Sequence, residues 1–376
     1  MPFPTMHRRR WLRLCTAAAL PAFSSRAALA QPGGKEPVAV AQIADMSAGQ
    51  QDVSRDFLIG SRTAWQALNA QGGIQGRPVQ HLTFEVDGTG PGLQAAWQSA
   101  LAHPGCVALS GSVGDGVSVA LAALQAAQPG TPIAQAAPWL HSEEAGQASQ
   151  ASDTLFGIFP GYQAQIAHAL KTLAVMGVPE LGVVYASAAV RQQSQARVQQ
   201  AAQALGLRAQ AIPLNQATPA QTIVLFVGGT PELHDFVRKL VLQPGRHCYI
   251  VALADVNLQV LAQMGGSVRN ASVIATQAVP LVTAGLPIVR AYREALARLY
   301  DEPPSPQGLA GFIAARYTAE VLQGISGPIT RASALAAFRR RQGLDLGGFS
   351  VAFEGRRRAS AYVTQSMLTA DGRIVG

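Results

Sequence analysis

A short run of glycines and polar residues, Gly111-Ser112-Val113-Gly114-Asp115-Gly116, follows a predicted strand and opens a predicted helix. A loop in this position lies at the carboxyl end of a strand, where open α/β sheets bind their ligands. The run lacks the Gly-Lys-Ser/Thr ending of a phosphate loop and the glycine spacing of a dinucleotide site, so it indicates a nucleotide only weakly. It predicts either a ligand-facing loop or a tight turn in which Asp115 caps the following helix.

No set of side chains in the sequence has the spacing of a catalytic or metal centre. Seven histidines are scattered, and neither a His-x-x-x-His nor a Cys-x-x-Cys motif occurs, which argues against a metal site. A Gly-x-Ser-x-Gly elbow is also missing. The run His141-Ser142-Glu143-Glu144 lies in a polar stretch and is interpreted as solvated surface. The sequence therefore predicts no enzyme activity, no cofactor and no bound metal.

The positive charge of the chain is concentrated in its N-terminal segment. The formal net charge is +8, but residues 1–30 hold five arginines and no acidic residue, so the remaining 24 basic residues face 21 acidic ones. Such a near balance excludes a general nucleic-acid-binding surface. With 48% hydrophobic and 13% charged residues, the chain is long enough at 376 residues for two domains with proper cores.

The N-terminal segment has the pattern of a signal peptide. The run from His7 to Arg13 contains a twin arginine, an apolar stretch from Leu14 to Phe23 follows, and Ala28-Leu29-Ala30 fits a small-x-small cleavage site. The apolar stretch is too short to span a bilayer. We therefore expect export by the twin-arginine or the general route, with cleavage near Ala30.

Strands and helices alternate twice along the rest of the chain, which predicts two α/β halves with parallel sheets. In the first half the pattern predicts strands at 38–44, 79–86, 106–110 and 132–136, and helices near 54–70, 91–103 and 116–127. In the second half it predicts helices at 162–176, 189–205 and 231–242, and strands at 181–185, 208–212, 222–227, 248–252 and 272–276. Three helices at 285–300, 307–323 and 330–341 come next, and a strand from Phe349 to Phe353 is expected to pair with one from Tyr362 to Leu368.

Four motifs resemble one family in order and spacing. They are the runs Asn69–Arg77 (NAQGGIQGR), Thr276–Pro280 (TQAVP), Gly311–Arg316 (GFIAAR) and Asp345–Phe349 (DLGGF). The chain is similar here to the type I periplasmic solute-binding proteins of ABC transporters, in the branched-chain amino acid class. This resemblance implies an α/β fold of two lobes, each a parallel sheet flanked by helices, joined by three hinge crossovers.

By similarity the crossovers fall near Pro160, Val279 and Gly347. The implied division is a signal peptide at 1–30, an N-terminal lobe at 36–160 plus 281–346, and a C-terminal lobe at 161–280 plus 347–376. Cys106 and Cys248 then fall in different lobes, so they are interpreted as two buried thiols and not as a disulfide.

The resemblance also implies where a ligand would bind. In the N-terminal lobe it points to the loop with Ser112, Gly114 and Asp115, whose hydroxyls and backbone N–H groups hold a substrate carboxylate in the family. It also points to Ala137, Pro138 and Trp139, where Trp139 either walls the pocket or packs between the lobes. In the C-terminal lobe the corresponding positions are Ser187, Val190, Thr230 and Asp255.

This sequence departs from the family pattern in the C-terminal lobe. The acidic pair expected after Tyr185 is replaced by small residues, Thr230 stands where an aromatic residue is common, and Asp255 is displaced from the position of the glutamate that holds the ammonium group. An unpaired buried ammonium would cost roughly 3–5 kcal/mol. Asp115 would also repel a carboxylate. The expected ligand is therefore less charged than a zwitterionic amino acid, or has a single ionised end.

The resemblance implies a periplasmic monomer that captures a small molecule (amino-acid-like, amide or carboxylate) and delivers it to ABC permease subunits. The alternative is a sensing module of the same fold that reports its ligand to a membrane receptor or regulator. No nucleic-acid partner is expected, given the charge balance of the mature chain.

Overall fold

The structure is a computed structural model that describes residues 35–142, 153–175, 179–216, 219–266, 270–355, 357–358 and 362–376. Residues Lys35–Gly376 form one compact unit. The predicted signal peptide and the pair Glu143-Glu144 lie outside the described residues. Within these ranges none of the helices combines the length and the apolar character that a membrane span requires.

Five parallel strands form the first sheet. They are β1 (Val38–Asp45), β2 (Val79–Val86), β3 (Cys106–Ser110), β4 (Ala134–Ala136) and β5 (Leu155–Phe156). Their order is β2-β1-β3-β4-β5. Side chains of β1 alternate between two cores, with Val38 and Val40 in one and Ala39 and Ala41 in the other. Both faces of this sheet are therefore covered, as parallel strands require.

The helices on this sheet come from both ends of the chain, and we call the whole the N-terminal lobe. They are α1 (Gln51–Ala70), α2 (Gly90–Ala102) and α3 (Asp115–Ala127), and later α8 (Pro287–Leu299), α9 (Pro306–Gln323) and α10 (Arg331–Arg339). The long α1 and α9 touch through glycines, because a Cβ on Gly311 would lie 2.0 Å from the carbonyl oxygen of Phe57. Thr330 caps α10 in a capping box with Ser333, so the predicted start of that helix is confirmed.

The second sheet repeats the strand order of the first. Its parallel strands are β6 (Glu180–Tyr185), β7 (Arg208–Ile212), β8 (Ile223–Val227), β9 (Cys248–Ala252) and β10 (Ala271–Gln277). Two antiparallel strands, β15 (Thr364–Leu368) and β16 (Ile374–Val375), extend it to the order β16-β15-β10-β9-β8-β6-β7. The helices that accompany it in the described ranges are α4 (Tyr162–Val175), α5 (Ala188–Ala204), α6 (Thr230–Lys239) and α7 (Leu258–Gln263). This is the C-terminal lobe, and the predicted fold of two parallel-sheet α/β lobes is confirmed.

The predicted elements agree with the structure except near the C-terminus. Every predicted helix is present within three residues of its expected bounds, and among the helices of the described residues the six-residue α7 alone was not predicted. The expected pairing of 349–353 with 362–368 is wrong, because β15 pairs with β10. Short strands take local partners instead: β11 (Leu344–Asp345) pairs with β12 (Ser350–Val351), and β13 (Phe353–Glu354) with β14 (Arg357–Arg358). Alternation identifies a strand but not its partner, and β15 satisfies the otherwise open edge of β10.

Cys106 and Cys248 are buried free thiols on strands of different sheets, as predicted. Burial raises the pKa of the Cys248 thiol to about 11 and also raises that of Cys106. Both thiols are therefore protonated at neutral pH and behave as small apolar side chains.

Arg331, the first residue of α10, connects this helix to the end of α2 and the start of β3. The Arg331 guanidinium donates to the carbonyl oxygens of Cys106 at 2.8 Å, Leu101 at 2.6 Å and His103 at 3.2 Å. Two of these acceptors lie at the C-terminal end of α2, where a cation is favoured by the helix dipole.

We expect Arg331→Ala to lower the free energy of unfolding by about 2–3 kcal/mol, because hydrogen bonds to a charged group are lost and their acceptors stay partly buried. Urea denaturation measures this change. The matched control is Arg298→Ala, which removes a 74% exposed side chain with an ion pair of 3.8 Å and should cost at most about 0.5 kcal/mol. Equal effects of the two substitutions would contradict the assignment.

Candidate functional site

The loops that follow β3 and β4 lie side by side at the carboxyl edge of the first sheet. The backbone N–H of Trp139 donates to Ser112 O at 2.8 Å, and that of Gly114 donates to Trp139 O at 3.3 Å. The structure thus brings together three of the residues that the sequence predicts as ligand-binding. The same edge is a topological switch point. β1 lies between β2 and β3, and the helix that follows β1 (α1) and the helix that follows β3 (α3) cover opposite faces of the sheet.

Ala137 and Pro138, also predicted to face a ligand, form the buried turn between β4 and Trp139. Ala137 has a φ of 47°, in the left-handed region that residues with a Cβ rarely adopt. Its N–H donates to Phe156 O at 2.9 Å, which holds the turn against β5. These two residues set the path of the loop through their backbone.

Asp115 does not cap α3, so that alternative is wrong. The N-cap residue is Gly114, with a φ of 107°. The Asp115 carboxylate instead accepts the backbone N–H groups of His141 at 2.8 Å and Ser142 at 3.0 Å. Both of its oxygens accept hydrogen bonds from the loop after Trp139, so the carboxylate holds that loop against the start of α3.

Trp139 packs in an aromatic cluster whose members all lie in the N-terminal lobe. Its ring lies 5.7 Å from that of Phe57, 5.2 Å from Phe159 and 4.4 Å from His141, all in edge-to-face geometry. The side chain is only 2% exposed. The cluster joins α1, the loop after β4 and the chain crossing to the C-terminal lobe.

Among the described residues of these loops, a hydroxyl oxygen and an indole nitrogen are buried without a hydrogen-bond partner. They are Ser112 Oγ and Trp139 Nε1, in side chains that are each 2% exposed. A buried group without a partner costs about 1–3 kcal/mol. An unpaired hydroxyl and an unpaired N–H donor at the carboxyl ends of neighbouring strands are groups that a bound molecule could satisfy.

The C-terminal lobe meets these loops through Gln165 and Tyr162. Gln165 Oε1 accepts the N–H of Ala254 at 2.9 Å, and its Nε2 donates to Pro160 O at 3.1 Å. The Tyr162 hydroxyl donates to Asp255 Oδ2 at 2.6 Å, and its ring lies 5.6 Å from that of His141. Asp255 is therefore linked through Tyr162 to the loop that carries Trp139, and one of its oxygens is already occupied.

Thr230 bridges the two lobes. Its hydroxyl donates to Asp52 Oδ2 at 2.5 Å and accepts the N–H of Asn257 at 2.9 Å. Asn257 in turn donates through Nδ2 to Asp56 Oδ2 at 2.9 Å. We call this set of contacts between the start of α1 and the loops after β8 and β9 the interlobe seam. Thr230 is fully buried in it.

Ser187 and Val190 lie apart from the other predicted residues. Ser187 is exposed and caps α5, accepting the N–H of Val190 at 3.2 Å. Ser187 lines an open groove of about 410 Å³ with Tyr185, Arg191 and Pro213. All the residues of that groove belong to the C-terminal lobe, so the structure does not bring these two residues to the loops of the N-terminal lobe.

A cavity of about 550 Å³ opens beside the interlobe seam and was not predicted from the sequence. Both lobes contribute to it, through α1, the starts of α6 and α7, and the segment before α9. Its charged and amide-bearing lining residues are Gln51, Asp52, Arg55, Asp56, Gln259, Gln263 and Glu302. The volume would admit a small organic molecule.

Burial raises the pKa of both Asp52 and Asp56 above the ordinary value for an aspartate. Hydrogen bonds lower the pKa and so oppose this effect, from Thr230 at Asp52 and from Ser305 and Asn257 at Asp56. The charge of Asp255 raises the pKa of Asp52 further, and the charges of Asp52 and Glu302 raise that of Asp56. Asp52 and Asp56 are spaced four apart on α1, which places them on one face. The four-residue spacing of the two aspartates in the sequence indicates a polar face on α1. The sequence prediction used only the apolar residues of this helix and therefore did not include Asp52 and Asp56.

Among the described residues no group of three His, Cys, Asp or Glu side chains comes together as potential ligands of a metal ion. The polar groups of the site are hydroxyl, amide, indole and carboxyl groups. They are suited to hydrogen bonding with an organic molecule.

Comparisons with known proteins agree with this architecture. The sequence profile of a family described as periplasmic binding protein matches residues 37–371. No functionally curated protein matches the sequence. Among solved structures, the fold resembles an extracellular ligand-binding receptor from Verminephrobacter eiseniae, with 18% identity, a TM-score of 0.78, and coverage of 90% of this chain and 100% of the other.

Two further structures share the fold. A substrate-binding periplasmic protein from Ralstonia solanacearum is 22% identical, with a TM-score of 0.76 and coverage of 90% of this chain and 99% of the other. A branched-chain amino acid ABC transporter protein from Thermus thermophilus, solved with bound valine, is 15% identical, with a TM-score of 0.74 and coverage of 91% and 95%.

Proposed function

This chain belongs to the periplasmic binding protein family, and we propose that it is an exported protein that captures a small polar organic ligand between its lobes and delivers it to an ABC permease. The observation that carries the proposal is that segments following strands of both sheets meet at the carboxyl edges of those sheets, where Thr230 bonds to Asp52 and Asn257 to Asp56, with unpaired buried polar atoms among them. Open α/β sheets bind ligands at such edges.

The ligand would contact the N-terminal lobe first, at Ser112 and the loop that carries Trp139, and would be enclosed when the C-terminal lobe closes over it. The ligand can drive closure only through a higher affinity for the closed form than for the open form. The Ralstonia and Thermus proteins, which their names describe as a periplasmic substrate-binding protein and an ABC transporter protein, support this role by their shared fold.

The charges around the site favour a neutral ligand or one with a single ionised end over a zwitterionic amino acid. Asp115 stands at the start of α3, where a carboxylate would otherwise be held, and its charge opposes a second anion there. Asp255 is already hydrogen-bonded to Tyr162, so an ammonium group would share an occupied partner. Amides, ureas and monocarboxylates are therefore the first candidates.

A thermal-shift screen of the mature chain tests capture. Amino acids, short-chain and aromatic carboxylates, amides and ureas are compared, and one class should raise the stability by about 2.7 kcal/mol at 100 times its dissociation constant. Ser112→Ala should then weaken that ligand by about 2- to 12-fold, the value of one hydrogen bond, without loss of stability, because Ser112 Oγ has no partner to lose.

The control is Ser99→Ala, which removes an exposed hydroxyl from α2 and should leave ligand affinity unchanged. Delivery is tested separately by uptake of the identified ligand in cells with and without the protein. A broad screen in which no compound changes the stability would refute capture, and unchanged uptake would refute delivery.

A further inference from the structure

Two carboxyl groups of α1 lie in the interlobe seam, and no cationic side chain of the described residues is bonded to either. Asp52 accepts from Thr230 and Asp56 accepts from Asn257, both donors being in the C-terminal lobe. The other oxygen of Asp52, Oδ1, is buried and has no hydrogen-bond partner. An ionised oxygen in this position loses its water without gaining a donor, which penalises the charged form when the lobes are together.

The charged groups that face this pair are mostly acidic. From the loop after β9, Asp255 acts on Asp52, and from the segment before α9, Glu302 acts on Asp56. Glu232 on α6 faces the same seam, where its Oε1 lies within 3.8 Å of the Cβ position of Gly49 and its Oε2 is buried without a partner. Tyr292 on α8 also faces Asp56, and Arg55 on α1 contributes a positive charge to the cavity lining.

We propose that the interlobe seam is a proton-linked latch, in which closing the lobes takes up protons at Asp52 and Asp56. This inference rests on the lobe motion of the proposed function but not on the identity of the ligand. When the lobes separate, both carboxyl groups lose the burial that the C-terminal lobe provides, and Asp52 also loses its acidic neighbour Asp255. Both then return towards ordinary aspartate behaviour. The closed form then holds protons more tightly than the open form.

The sign of the pH dependence follows from linkage. Because the pKa values of Asp52 and Asp56 are raised in the closed form, protonation favours closure as the pH falls through those values, and the preference is lost as the pH rises above them. The ratio of closed to open protein changes by about tenfold for each unit of difference in pKa between the two forms. Acidification would thus close the lobes and tighten ligand retention.

Small-angle scattering of the ligand-free mature protein between pH 7.5 and 4.5 tests the latch. The radius of gyration of the wild type should fall with pH. The double variant Asp52→Asn/Asp56→Asn keeps side chains of the same size without the charge, so it should be compact at pH 7.5 and change little with pH. The single variant Asp56→Asn should fall between them.

The matched control is Glu85→Gln, which removes an exposed carboxyl from β2, away from the seam, and should keep the pH response of the wild type. A wild-type radius of gyration that is constant across the range would overturn the latch, even if the variants fail to fold. So would a double variant that responds to pH as the control does. A failed ligand screen with an intact pH response would count against the proposed function and not against the latch.

Discussion

Replacing Gly311 by alanine should destabilise the protein by about 3 kcal/mol or more, or prevent folding of the N-terminal lobe. A Cβ at this position would lie 2.0 Å from Phe57 O and 3.0 Å from Ser61 N, both backbone atoms of α1. Side chains could rotate away, but a helix backbone can only shift as a whole. Overpacking of a well-packed core typically costs about 1–3 kcal/mol of stability, and we expect a clash with backbone atoms to cost about 3 kcal/mol or more.

The contact is reciprocal, which strengthens the expectation. On α1, a Cβ at Gly60 would lie 1.7 Å from Gly308 O on α9, and Ser61 Oγ donates to Gly311 O at 3.2 Å. The two helices therefore touch backbone to backbone over a full turn, and α1 also supplies Asp52, Asp56 and Phe57 to the site. Displacing it would move the seam as well as the core.

Gly116→Ala is the matched control. Gly116 lies in the first turn of α3, and nothing stands within 4 Å of its Cβ position. Alanine there should be neutral or should stabilise by up to about 1 kcal/mol, because it restricts the unfolded chain and favours the helix. Urea unfolding of both variants gives the comparison. Comparable stabilities for the two variants would show that α1 and α9 are not packed as described.

The strands and helices could be predicted from the sequence because each type of element has its own pattern of apolar residues. In β1, Val38 and Val40 face one core and Ala39 and Ala41 the other, so an unbroken apolar run is the signature of a sheet covered on both sides. The helices follow from 3.6-residue periodicity and clear caps such as Thr330. The partner of β15 could not be predicted, since strand pairing depends on which sheet edge remains open.

The sequence could predict only the residues of the candidate site that come directly after the end of a strand. Ser112, Gly114 and Trp139 come after neighbouring strands, so sheet order alone brings them together. The role of Thr230 depends on a residue from the other lobe, Asp52, which lies 178 positions away in sequence. Contacts of this kind between distant segments leave no local pattern, and for the same reason the placement of Ser187 outside the cavity was not foreseen.

The interlobe seam offers a direct way to test whether the lobes must close to hold a ligand. Gly229 precedes α6 as its N-cap, in an extended conformation (φ −91°, ψ −179°) that any residue adopts. A Cβ there would lie 2.9 Å from Gly49 O, a backbone atom of the N-terminal lobe. Asparagine is a favoured N-cap residue, so Gly229→Asn should leave α6 intact while its side chain separates the two lobes.

We expect Gly229→Asn to break the bonds from Thr230 to Asp52 and from Asn257 to Asp56, since both need the same close approach. The radius of gyration should rise, and the affinity for the ligand identified by screening should fall at least about tenfold, which is 1.4 kcal/mol. Gly285→Asn, at a position with nothing within 4 Å, should change neither quantity. If the Gly229 variant keeps wild-type compactness and affinity, ligand retention does not depend on closing this seam.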